Sequence, residues 1–209
     1  MSRTVFFSWQ SDTSSREGRN LIEKALEAAV SKIADNAELE EAVREGLQVD
    51  KDTKGVPGSP PIFATILEKI DRAAVFVADL TFVGKCSDGT PTPNPNVLIE
   101  YGWALKSLGH PRMLAVMNEA HGAPTRESMP FDLAHHRFPI TYKVADGASD
   151  AVRVEERDKL ANTFENALKA VFASPEFKAS LPKKPEPAVF KSKEPMAGHG
   201  SVRRDKNLG

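Results

Sequence analysis

Asn96, Glu100 and Trp103 have the residue types and spacing of a small catalytic group. Residues four apart on a helix project from one side, so Asn96 and Glu100 are expected to lie together, with Trp103 three residues further on. An ionised glutamate beside an aromatic ring can stabilise a positive charge, such as a ribosyl oxocarbenium ion, or capture it covalently. The spacing alone is equally compatible with a second interpretation, in which Glu100 is an acid near a helix start that the helix dipole stabilises.

Alternating strand and helix patterns surround these residues. Apolar, β-prone runs predict five strands, at residues 4–7, 47–49, 73–78, 113–117 and 138–142. Apolar residues at helical spacing predict helices after a Ser14–Glu17 capping box, from Ser59 and Pro60, over 96–108 before Gly109, and over 154–172. The alternation predicts an α/β fold with a flavodoxin-like parallel five-stranded sheet, helices on both faces and the strand order 2-1-3-4-5.

Polar and aromatic residues follow the predicted strands at one edge of this sheet. Ligands bind beyond the carboxyl ends of the strands in folds of this class. The structural alternatives are a cap of the first turn for Ser8 and a place in the core for the tryptophans. We predict that the substrate contacts residues at four strand ends and on the third helix: Ser8, Trp9, Asp50, Asp79, Asn118, Asn96 and Trp103.

Several segments of the chain resemble prokaryotic TIR-like (Toll/interleukin-1 receptor) domains. The resemblance extends over about residues 4 to 142, and its most specific part is the Asn-Pro-Asn-Val…Glu-x-Gly-x-Ala stretch at 94–104. The other matching segments are Val-Phe-Phe-Ser-Trp at 5–9, the loop from Val49 to Gly58, Val-Ala-Asp-Leu-Thr at 77–81, Phe-Asp-Leu at 131–133 and His-Arg-Phe at 136–138.

The resemblance implies an activity and a set of roles. Many bacterial members cleave NAD+ at the nicotinamide–ribose bond and act as toxic effectors in anti-phage defence, activated by self-association of TIR domains. It implies that Glu100 is the catalytic glutamate and that Phe7, Ser8 and Trp9 line the nucleotide pocket. The loop 50–58 would gate assembly and substrate access. We expect the loop after the first strand and the N-terminus of the third helix to hold the pyrophosphate of the substrate.

The chain has no glycine-rich fingerprint of the Rossmann or P-loop type. NAD+ is therefore expected as a consumed substrate, and we predict no cofactor. We also predict no metal site. Asp50 and Asp52 have a metal-like spacing but are read as polar turn residues, and His135 and His136 as loop residues without a second ligand cluster.

Three other functions remain open on the sequence. A nucleoside deoxyribosyltransferase-like enzyme would use Glu100 as its nucleophile and Asp79 to orient the nucleoside, with help from Asn118. A non-catalytic TIR module would bind other TIR domains through the loop 50–58. A phospho-receiver domain would use Asp79, but the position after the first strand lacks the acidic cluster that holds magnesium, with Asp12 alone.

Composition limits the partners and the compartment. The 209 residues carry a formal net charge of −1, a single cysteine, Cys86, and no apolar run long enough to span a bilayer. We expect a cytoplasmic protein without a membrane or nucleic-acid partner. Its expected partners are NAD+ or a related nucleotide, further copies of the chain, and a sensor protein encoded elsewhere.

The C-terminal segment differs from the rest of the chain. From Lys178 to the end it has eight lysines and arginines against three acids, four prolines and few large apolar residues. Such a composition does not bury enough surface to offset the entropy of ordering. We predict a TIR-like domain over residues 1–174 and a basic, proline-containing tail over 175–209 that is disordered or a linker.

Overall fold

Five parallel strands form the central sheet in a computed structural model that describes residues 3–36, 41–52 and 61–180. The described residues form seven strands in all: β1 (Thr4–Ser8), β2 (Gln48–Asp50), β3 (Val75–Asp79), β4 (Phe82–Lys85), β5 (Pro91–Pro93), β6 (Met113–Asn118) and β7 (Ile140–Tyr142). The sheet has the order β2-β1-β3-β6-β7, while β4 and β5 form a separate antiparallel pair. The predicted flavodoxin-like order is thereby confirmed.

Seven α-helices accompany the strands in the described residues. They are α1 (Arg19–Ala34), α2 (Glu41–Arg44), α3 (Ile62–Arg72), α4 (Pro95–Leu108), α5 (Phe131–Ala134), α6 (Asp150–Ala173) and α7 (Pro175–Ser180). Helices α1 and α6 cover one face of the sheet and α3 and α4 cover the other. None of the described helices combines the length and the apolar character needed to cross a bilayer.

The interior strand β1 supplies side chains to both cores because successive residues of a strand point to opposite faces. Val5 and Phe7 are buried on the α1/α6 face. Phe6 is buried on the other face and stacks on Phe76 of β3, with 6.2 Å between the ring centroids. The unbroken apolar runs of β1 and β3 therefore reflect burial from both sides.

Helix α4 begins and ends close to the predicted positions, for local reasons. The Asn94 side chain caps its N-terminus by accepting hydrogen bonds from two main-chain amides, and Pro95 occupies the first turn. Gly109 ends the helix with a φ of 74°, a left-handed conformation that glycine adopts without strain. These two ends determine the position of Glu100 along the helix.

Other elements differ from the sequence prediction. The Ser14–Glu17 capping box does not start α1; the Ser14 hydroxyl bonds the Glu17 carboxylate directly, and the helix begins later, at Arg19. The segment 82–95, predicted as a loop, contains the β4–β5 hairpin. Helix α6 begins at Asp150, earlier than predicted, because Ser149 caps it.

The folded part of the chain continues beyond residue 174, where the tail was predicted to start. Pro175–Ser180 forms α7, and Phe177 is buried against Phe172 with ring centroids 5.0 Å apart. The predicted caps Ser59 and Pro60, the loop residues 53–58 and the tail residues 181–209 lie outside the described residues.

Candidate active site

Ser8 and Glu100 meet at the carboxyl edge of the sheet. Ser8 is the last residue of β1 and its hydroxyl donates a 2.6 Å hydrogen bond to Glu100 Oε2. Ser8 is buried, whereas Glu100 is partly exposed. The glutamate thus lies where ligands bind in sheets of this order, with one oxygen bound to the strand end.

The surroundings of Glu100 alter its acidity. Partial burial raises the pKa of the carboxyl above its usual range, the Ser8 hydrogen bond lowers it, and the negative charge of Asp52 raises it further. Burial raises the pKa because it removes water from the charged form, and it is the largest of the three causes. A carboxyl group with a raised pKa and partial access to solvent is typical of functional sites.

Trp9 is held by two contacts next to this group. Its indole Nε1 donates a 2.5 Å hydrogen bond to Asp52 Oδ1, and the Arg19 guanidinium lies 4.3 Å from its ring centroid. The second contact is a cation–π interaction. Both contacts hold Trp9 beside the end of β1, and its partner Asp52 lies two residues after the end of β2.

The loop after β1 is attached to the start of α4. Asn94 Nδ2 donates a 2.5 Å hydrogen bond to Asp12 Oδ2, while Asn94 Oδ1 accepts from the amides of Asn96 and Val97 at 2.8 and 3.3 Å. Asn94 therefore occupies the first amides of α4. The expectation that these amides hold the pyrophosphate is not met in this conformation.

Gln10 organises the same loop from inside. It is buried, and its Oε1 accepts from the amides of Asp12 and Thr13 at 2.5 and 3.1 Å. Its Nε2 donates to Thr13 Oγ1 at 2.8 Å and to Asp79 Oδ2 at 3.4 Å. The loop conformation beside Ser8 thus depends on a buried side chain that is bound to the end of β3.

Asp79 and Asn118 are committed to internal hydrogen bonds. Asp79 is fully buried, accepts from the Thr81 amide at 3.0 Å, and has a pKa raised by that burial. Asn118 is 1% exposed and binds the carbonyl and the amide of Val144 at 2.8 and 3.1 Å. Both residues order the strand ends, and neither presents surface to a substrate in this conformation.

The remaining predicted residues form no hydrogen bond or ion pair with Ser8 or Glu100 among the described contacts. Phe7 is completely buried in the α1/α6 core. Asp50 forms a 2.9 Å ion pair with Lys69. Trp103 donates a 2.7 Å hydrogen bond to Asp71 of α3, and Asn96 is exposed. The structure therefore brings together Ser8 and Glu100 directly, while Trp9 bonds Asp52, whose negative charge acts on Glu100.

Three contributors were not selected from the sequence: Arg19, Asn94 and Asp52 in its role beside Trp9. Arg19 is the first residue of a helix and is separated from Trp9 by a loop, so no spacing rule relates them. The Asn94-Pro95 pair before an apolar helix was a local signal for the cap. Within the described residues, no three His, Cys, Asp or Glu side chains are arranged to hold a metal ion.

Similarity to known proteins is found among solved structures. No protein-family model and no curated protein matches this sequence. A crystal structure of a flavodoxin-like domain from a Synechococcus sp. protein is similar, with 14% identity over 79% of this chain and 98% of that chain, and a TM-score of 0.41. The fold assignment therefore depends on the observed strand order.

Proposed function

We propose that this protein is a TIR-like NAD+ glycohydrolase in which Glu100 is the catalytic residue. The observation that carries the proposal is the 2.6 Å hydrogen bond between Ser8 and a partly exposed Glu100 at the carboxyl edge of the sheet. This bond orients one oxygen of the carboxylate and favours its ionised form. An oriented carboxylate with access to a ligand is what a ribosyl cation requires.

The reaction needs few protein groups. Nicotinamide in NAD+ carries a positive charge on its ring nitrogen, so it leaves as a neutral molecule with the electron pair of the C1′–N bond and no general acid is required. Glu100 stabilises the positive charge that develops on the ribose, electrostatically or by a transient ester. Water then forms a bond to C1′ and releases a proton, which yields ADP-ribose. A single carboxylate with an orienting hydroxyl is sufficient for these steps.

The neighbouring residues support binding and orientation. Trp9, bound to Asp52 and covered by Arg19, forms a fixed aromatic side chain next to Ser8. We place the nucleotide along this side of Glu100. Because the α4 amides at 96 and 97 are bound to Asn94, the phosphates are assigned to the basic side chain of Arg19 in preference to the helix start.

Self-association belongs to the same proposal. The TIR-like resemblance implies an effector whose site is completed by a neighbouring copy, so turnover per molecule should increase with protein concentration. The predicted biological role is a toxic effector in anti-phage defence, triggered by a sensor encoded elsewhere.

Nicotinamide release from NAD+ tests the proposal directly. Purified protein at high concentration with a crowding agent should release nicotinamide, and Glu100→Gln should lower the rate by at least about 100-fold, roughly 3 kcal/mol of transition-state stabilisation. Glu155→Gln, which changes an exposed glutamate on α6, is the matched control and should retain full activity.

Two outcomes would overturn the proposal. Full activity in a folded Glu100→Gln variant would exclude the assigned role of Glu100. No release by the wild type at any concentration would favour the non-catalytic interaction module. We do not advance nucleoside deoxyribosyl transfer, because Asp79, which would orient the nucleoside, is fully buried and bound to Thr81 and Gln10.

A further inference from the structure

A basic cleft of about 210 Å³ lies between the start of α1 and the start of α6. Four of its eight lining residues are cationic and one is acidic: Arg16, Lys24, Arg153 and Arg157 against Asp150. It shares no residue with the Ser8–Glu100 site. A concave surface with an excess of three positive charges suits an anionic ligand.

One carboxylate already occupies the position between two of these arginines. Asp150 Oδ1 accepts from Arg16 Nη2 at 3.3 Å and also from Arg153 Nη2. The Asp150 side chain is 86% exposed, so these ion pairs contribute little free energy. Another anion can therefore replace the Asp150 carboxylate at little cost. The carboxylate marks where an anionic oxygen can bind both guanidinium groups.

Arg153 is fixed before any ligand arrives. Its side chain is 13% exposed, its Nη1 lies 3.0 Å from Oε1 of the buried Glu17, and it also donates to the Ala148 carbonyl. Glu17 is held in turn by the Ser14 hydroxyl. A guanidinium that is already oriented loses little conformational entropy on binding, which favours affinity.

The other two cations are available at the surface of the cleft. Lys24 is exposed and forms no ion pair with any described residue. Arg157 bonds only its sequence neighbour Asp158 among the described acids, at 2.7 Å. A pair of this kind, with an exposed Asp158 and a half-buried Arg157, contributes little to stability and allows the guanidinium to turn towards a ligand.

We propose that this cleft binds an anion with at least two phosphate groups, such as a pyrophosphate or the diphosphate of a nucleotide. One phosphate replaces the Asp150 carboxylate between Arg16 and Arg153. The second lies between Lys24 and Arg157. Planar guanidinium groups form paired hydrogen bonds with phosphate oxygens, which makes them well suited to this ligand. The proposal does not depend on the NAD+ glycohydrolase activity.

The test is a calorimetric titration of the full chain with inorganic pyrophosphate at constant ionic strength. The wild type should show saturable binding. Lys24→Gln/Arg157→Gln should weaken it at least about tenfold, because two charge-assisted contacts are lost. Asp150→Asn should instead tighten it about threefold, because it removes a competing negative charge but keeps the side-chain shape.

A second double variant, which removes the same number of positive charges outside the cleft, controls for the effect of net charge. Arg72→Gln/Lys178→Gln removes two exposed cations from the end of α3 and from α7 and should bind pyrophosphate like the wild type. A parallel titration with ADP distinguishes the source of the phosphates: tighter binding than pyrophosphate indicates a nucleotide, and equal binding indicates recognition of phosphate alone.

The proposal is overturned by any of three results. These are no saturable binding by the wild type, equal weakening in the cleft and control double variants, or an Asp150→Asn variant that binds no more tightly. Thermal melting of each variant confirms that the chain is folded. Because none of these readouts uses turnover, they are independent of the test of Glu100.

Discussion

Ser8 and Glu100, 92 residues apart in the chain, share a 2.6 Å hydrogen bond that opposes the effect of burial on the glutamate. Burial and the charge of Asp52 raise the pKa of Glu100, and the Ser8 hydroxyl lowers it. The fraction of Glu100 that is ionised therefore depends on two neighbours from different parts of the sequence. This balance makes the proposed mechanism testable through pH.

Ser8→Ala should move the acid limb of the NAD+ cleavage profile to higher pH. The mechanism needs ionised Glu100, so activity falls as the pH decreases through its raised pKa. Loss of the hydrogen bond removes the effect that lowers this pKa, and the pKa rises further. The measurement is the rate against pH, or a carbon NMR titration of the Glu100 carboxyl. Ser107→Ala, on the same helix but bound to Asp71, should leave the limb in place.

Asp52→Asn should move the same limb in the opposite direction. The substitution removes the negative charge that raises the pKa of Glu100. An asparagine tolerates the φ of 53° at this position and still offers an oxygen to the Trp9 indole. The NMR titration reports the shift even in the absence of turnover. An unchanged Glu100 pKa in both Ser8→Ala and Asp52→Asn would contradict the assigned electrostatics.

Glu17→Gln should lower the free energy of unfolding by about 1.5–3 kcal/mol at pH 7, the range for a lost hydrogen bond to a charged group. The Ser14 hydrogen bond, and then the charge of Arg153, lower the pKa of Glu17 below 4.5. A lowered pKa contributes stability above the unfolded pKa, and this contribution is lost as the pH falls through the folded pKa. The difference from the wild type should therefore shrink below about pH 4.5.

Chemical denaturation at several pH values checks this prediction. Glu45→Gln is the control, since Glu45 is 74% exposed in its ion pair with Arg3 and such pairs contribute about 0–1 kcal/mol. A Glu17→Gln variant as stable as the wild type at pH 7 would show that the buried pair with Arg153 adds nothing.

Phe177→Ala should destabilise the protein by about 3 kcal/mol, because it removes a buried ring from the α6–α7 contact. A chain that ends after Ser180 should keep the melting temperature of the full protein, and one that ends after Ser174 should melt lower. Equal melting temperatures for the two truncations would place the boundary of the folded unit at residue 174.

The sequence predicted most of the architecture because the fold is built from strong local patterns. The apolar runs 4–7 and 73–78 indicated the buried strands, and the helical spacing over 96–108 with Gly109 after it indicated the helix that carries Glu100. Patterns of this kind arise from burial and from end effects that act over a few residues. The rule that ligands bind at the carboxyl edge then selected Ser8 and Glu100 together.

Other features depended on contacts that no local pattern encodes. The Ser14–Glu17 pair had the sequence of a capping box, but the distant Arg153 binds the glutamate and the helix starts elsewhere. Trp103 was expected to contact the substrate beside Glu100, and its indole bonds Asp71 of the neighbouring helix. Residues 175–180 were assigned to the tail by composition, although Phe177 finds a buried position against Phe172.

By itself, the sequence determined the order of strands and helices and the sheet edge that carries the polar residues, because these follow from periodicity and from topology. The choice of Glu100 as the catalytic residue came from the TIR-like resemblance and stays a prediction. The tertiary structure decided which of the candidate side chains have surface left for a ligand. It left Glu100 partly exposed beside Ser8, and it enclosed Phe7, Asp79 and Asn118. Burial depends on what packs from distant parts of the chain, and only the folded arrangement specifies that.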